Sequence, residues 1–122
     1  MATNAVISDI FVKMRIIISM KHLAINDYTR AAKLLTLTLE DINSHGISHV
    51  SYNRQININD ALRNALVFTN NNLNGCAINE LKKAGLEIDM DDLVRKHLVL
   101  RESDSDLNII PYNIRLKIAN YI

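Results

Sequence analysis

Val6–Ile25, VISDIFVKMRIIISMKHLAI, is the most apolar run in the chain and the segment that most restricts its fold. Read as a helix at about 3.6 residues per turn, it carries two apolar stripes. Ile7, Ile10, Phe11, Met14, Ile17 and Ile18 share one face at the spacing of a core-facing stripe. Val12, Ile16, Met20 and Leu23 form a second, narrower stripe on roughly the opposite side. A surface helix needs one stripe, whereas a helix apolar on most sides is buried in a larger core, an oligomer or a membrane. Length excludes the membrane, because Lys13, Arg15, Lys21 and His22 bracket the uninterrupted run Ile16–Met20 and a span needs about 20 apolar residues. A secretory leader is not expected either, since no basic region precedes the run and no small-residue cleavage site follows it. The β-branched Ile16–Ile18 would also suit a strand through Met14–Met20. Two helical readings lead: a central helix enclosed by the chain's own helices, or a helix whose second stripe is buried by another chain.

The remaining composition narrows the function classes. At 122 residues the chain is long enough for one domain with a real core and no disulfide or metal. It is 48% hydrophobic and 22% charged, the balance of a folded globular protein. A formal charge of +1 argues against a generic polyanion binder, which concentrates a basic excess, and equally against an acidic nucleic-acid mimic. Cys76 is the single cysteine, so no intrachain disulfide can form and a reducing, cytoplasmic setting is expected. Heavy use of Ile and Asn, with little Gly and Pro, fits an AT-rich coding source such as a phage, a virus or a mobile element.

Along the chain, Asn26 or Asp27 caps a second helix with the stripe Tyr28, Ala31, Ala32, Leu35, Leu39 and Ile42, and Gly46 suits its C-terminal stop. Leu34 and Leu37 add apolar surface off that stripe. Residues 1–46 are thus expected to form an antiparallel helical hairpin with more apolar surface than two helices can hide from each other. Ile47–Ile58 is polar and reads as an extended loop. Residues 59–122 then read as three short helices of the same single domain. The first starts at Asn59 or Asp60 and presents Leu62, Ala65, Leu66 and Leu73, with Phe68 beside them; Asn70–Asn72 frays its end. The next is capped by Asn74, stapled by Leu73 and Ile78, and closed by Gly85. The last has Asp89 as its cap, Asp91 and Asp92 in its first turn, Ile88 stapling Leu93, and Leu93, Val94, His97 and Leu98 on one face. After Pro111, Tyr112–Ile118 alternates as a half-buried strand would, although Ile114, Ile118, Tyr121 and Ile122 also share a helical face. The fold class expected is mostly α, with room for a small C-terminal β-hairpin.

The order from Asn59 to Ile118 looks like a winged helix-turn-helix module in pattern: short helices, a Gly turn in ELKKAGL, then an apolar segment, a DSD turn and another apolar segment. The resemblance implies that the helix after the Gly turn lies in a DNA major groove, with Arg95, Lys96 and Arg101 on phosphates. That helix opens on Asp89, Asp91 and Asp92, which phosphates repel and which serve well as cap and dipole partners.

No constellation specifies a reaction, a cofactor or a metal. His45 and His49 have helical metal-site spacing but enclose Gly46 and lack a nearby acidic or thiol ligand. Cys76, beside Ala77 and Ile78, is expected as a buried small residue rather than a nucleophile. Three scattered glycines make no phosphate loop. Glu87, Asp89, Asp91 and Asp92 lack cation-loop spacing, and Ser103–Asp106 is turn chemistry. The expectation is a non-enzymatic regulatory or interaction protein of inhibitor, adaptor or immunity type. It would be a homodimer that also contacts another protein, with Val12, Ile16, Met20 and Leu23 as the interface. The alternative is a dimeric winged-helix-like transcriptional regulator, which makes DNA the less favoured partner.

Overall fold

The computed structural model describes residues 9–88. They form four helices: α1 (Asp9–Ala24), α2 (Tyr28–His45), α3 (Tyr52–Asn70) and α4 (Asn74–Leu86), with no strand among the described residues. The expected C-terminal helix, the β element at 112–118 and the wing all lie outside the described residues.

α2 forms where its local signals agree. The Asp27 carboxylate accepts from the Arg30 amide at 3.3 Å, and the Gly46 amide donates to the Ile42 carbonyl at 2.8 Å. Gly46 sits at φ +77°, and a Cβ there would stand 3.2 Å from the Gln55 side chain, so glycine suits this stop on two counts.

The expected loop Ile47–Ile58 is corrected. α3 starts at Tyr52, seven residues before Asn59, with Ser51 accepting from the Arg54 amide at 3.3 Å. Its first two turns are polar apart from Tyr52, Ile56 and Ile58, and only Ile58 is buried, which leaves too little stripe to see in the sequence. Gln55 ties this turn back to the preceding loop by accepting from the Ile47 amide at 3.1 Å. At 19 residues α3 is not a short helix. Leu73 is not on its face but precedes α4, half-exposed, and Gly85 lies inside the last turn of α4, buried.

α1 packs on α2 and α4, and α3 packs on α2 and α4. The run is up and down, as the contacts between ends require. At one end the Tyr28 hydroxyl donates to the Asn72 carbonyl (3.1 Å), and Asn74 Nδ2 donates to Asn26 Oδ1 (3.1 Å). Near the other end Arg15 of α1 bonds Asp41 of α2. The core is built from the stripe Val12, Ile16, Met20 and Leu23, with Ile10 and Ile17 beside it, together with Leu35, Leu39, Ile42, Ile58, Leu62 and Leu81. Buried alanines at 61, 65, 77 and 84 let α3 and α4 approach closely.

Candidate interaction surface

The interface expected at Val12, Ile16, Met20 and Leu23 is corrected by burial. All four lie inside the chain's own core, none more than 4% exposed. The reason is the number of neighbours α1 must satisfy. A helix lying against α2 and α4 buries a wide arc, from Ser19 on the α2 flank, through the second stripe, to Ile10 and Ile17 on the far flank.

What remains outside is part of the other stripe. Ile18 is 37% exposed and Ile25 more so, while Phe11 and Met14 are half-buried at the edge of the core. The adjoining edge of α2 carries Leu37, 45% exposed, and half-buried Leu34. The Arg15–Asp41 ion pair fixes how these residues meet. One turn toward the C-terminus from Arg15 on α1 is Ile18, and one turn toward the N-terminus from Asp41 on α2 is Leu37. Ile18 and Leu37 therefore stand at matching levels of the two helices, both exposed. Arg15 is held from a second direction, its guanidinium 4.6 Å from the centroid of the Phe11 ring. The result is a small apolar face on a rigid support, with its central ion pair part-buried.

Other exposed apolar residues are dispersed apart from Tyr52 and Ile56, which are one turn apart on α3. Tyr52 and Ile56 lie at the start of α3 and Val67 near its end, while Leu73 and Leu86 flank opposite ends of α4. Single exposed apolar side chains are ordinary on a protein surface.

A polar cleft of about 240 Å³ lies between α3 and α4, lined by Asn57, Asp60, Asn64, Glu80, Lys83 and Glu87. Both carboxylate oxygens of Glu80 are already engaged, one by Asn64 Nδ2 at 3.2 Å and the other by Lys83 Nζ at 2.8 Å. The Lys83 hydrogen bond holds the Glu80 carboxyl below its ordinary value, with Asn64 helping and burial opposing. Within the cleft Glu80 is thus a satisfied group rather than an acid waiting for a ligand.

Cys76 is exposed, not buried as expected. The buried stripe of α4 is Ala77, Leu81 and Ala84, and Cys76 stands one residue off it. His45 ends α2 and His49 follows Gly46 in the loop, so the two do not share a helix face. Among the described residues no group of three metal-ligating side chains converges, and no helix is long and apolar enough to cross a membrane. Arg95, Lys96 and Arg101, the expected DNA contacts, lie outside the described residues.

Two sequence signals pointed to the outward face. Leu37 lies off the main α2 stripe. On α1, the stripe bearing Ile18 runs into Lys21 and His22, whereas the second stripe continues apolar to Leu23 in the last turn. Compared with protein-family models, with curated proteins and with solved structures, the chain has no match.

Proposed function

We propose that this protein acts without catalysis, as a small regulatory or adaptor protein that binds another protein through the outward face of the α1–α2 hairpin. The observation that carries this reading is that Ile18 and Leu37 are both exposed on two helices packed against each other, with Phe11, Met14 and Leu34 half-buried. Burying such residues yields about 25 cal/mol per Å² of apolar surface, and the fixed Arg15–Asp41 pair offers polar groups that set the register of a partner. Anchoring apolar side chains surrounded by charge is the composition of a protein-binding patch.

The test compares wild type with Leu37→Asp and Ile18→Asp, both at exposed positions and so expected to keep native helicity by circular dichroism. Each is used as bait in extracts of the source organism. The reading requires at least one partner that wild type retains and both variants lose. Retention of the same proteins by all three baits, or of none by wild type, rejects it.

A further inference from the structure

The outward face of α2 carries charge in a self-complementary order. Lys33, Leu37 and Glu40 follow one another at i, i+4 and i+7, so they form one exposed row with the apolar residue between opposite charges. With a rise of about 1.5 Å per residue, Lys33 stands about 6 Å to one side of Leu37 and Glu40 about 4.5 Å to the other. They are too far apart to pair with each other, and neither makes an ion pair among the described residues. α1 adds charge at one end only. Lys21 lies toward the Lys33 end of the face, and the apolar Phe11 and Met14 lie toward the Glu40 end.

A row ordered cation, apolar, anion is matched by a copy of itself turned end for end. We infer that the occupant of this face is a second copy of the chain, packed about a two-fold axis near Leu37, with Leu37 and Ile18 meeting their counterparts and Lys33 of each copy pairing with Glu40 of the other. This rests on the proposed contact function and supplies its partner. An isologous contact places each pair twice, so one complementary row yields two ion pairs. The same arrangement disfavours the parallel alternative, in which Lys33 would meet Lys33 and Glu40 would meet Glu40. A face two helices wide and about 25 Å long lies at the small end of stable interfaces, so a dimer in the micromolar range is expected.

Sedimentation equilibrium of the full chain from about 1 to 200 µM provides the test. Wild type should shift from monomer to dimer across that range. Lys33→Glu and Glu40→Lys, each alone, place like charges at both pair positions and should each weaken the dimer about tenfold. Mixing the two variants in equal amounts makes every cross-pair attractive again, so heterodimer should form with roughly wild-type affinity. The double variant K33E/E40K should likewise recover. A wild type that stays monomeric overturns the inference, as does a mixture that associates no better than its components. Either failure leaves the proposed function standing if Leu37→Asp still loses a partner that wild type captures, and that capture experiment can fail by itself while the dimer is found.

Discussion

Hydroxyl groups occupy three otherwise apolar positions, and each is satisfied by its own helix. Ser19 Oγ donates to the Arg15 carbonyl (2.8 Å), Thr38 Oγ1 to that of Leu34 (2.7 Å) and Thr69 Oγ1 to that of Ala65 (2.7 Å). A hydroxyl bonded to the carbonyl one turn back needs no partner across the core, so these residues can be buried without a network. The acceptor already receives the regular helical bond, and removing the hydroxyl therefore orphans nothing. Thr38→Val is accordingly expected to change unfolding free energy by no more than about 0.5 kcal/mol in urea denaturation. A loss above about 2 kcal/mol would mean that the hydroxyl serves a second partner. The residue scale is also where the sequence was least readable for Cys76. Its neighbours Ala77 and Ile78 are apolar, but one position along a helix turns a side chain by about 100°, which carries Cys76 from core to solvent.

At the scale of elements, legibility followed the number of independent signals. In α2 a cap, a stripe and a stop coincide at Asp27, Ala31–Ile42 and Gly46, and the helix forms as read. In α3 the opening turns offered one buried residue, Ile58, among asparagines, so a capped helix start resembled a loop. In α1 two stripes competed, and choosing the broader one as core inverted the roles of Ile16 and Ile18. α3 and α4 are joined across their cleft by Glu80, which yields a pH test. The Lys83 hydrogen bond, with help from Asn64 and against burial, lowers the Glu80 carboxyl below 4.5 in the folded state. A depressed carboxyl stabilises the fold above its unfolded value, and that contribution disappears as pH falls through the folded value. Lys83 is 70% exposed, so screening keeps the effect small. Lys83→Met should lower stability at pH 7 by about 0.2–1 kcal/mol, and the difference from wild type should be smaller at pH 2.5, as acid protonates Glu80. Urea melts at the two pH values measure this, and a difference that is the same at both would contradict the linkage.

For the whole molecule, the decisive matter is where the surplus apolar surface of α1 and α2 goes. The sequences of the two helices only hint at this, because the answer depends on α4 and α3 closing against them. The four-helix arrangement takes up the Val12–Leu23 stripe completely and leaves a remainder at Ile18 and Leu37. Folding and association therefore draw on opposite sides of one helix, and substitutions should separate them. Ile16→Ala removes buried methyl groups and should cost about 2–5 kcal/mol at every protein concentration. Leu37→Asp, at an exposed position, should leave the melting temperature of dilute protein nearly unchanged. Its effect belongs to mass action instead. A dimer at a total concentration about 100 times its dissociation constant leaves roughly one chain in fifteen monomeric, which stabilises the fold by about 1.6 kcal/mol, several degrees in a domain of this size. Wild type should melt several degrees higher at 200 µM than at 1 µM, and Leu37→Asp should abolish that rise without lowering the dilute value. Calorimetry at the two concentrations reads both quantities. Equal concentration dependence in wild type and Leu37→Asp would show that the exposed face takes no part in assembly, and a large loss in dilute Leu37→Asp would show that Leu37 belongs to the fold.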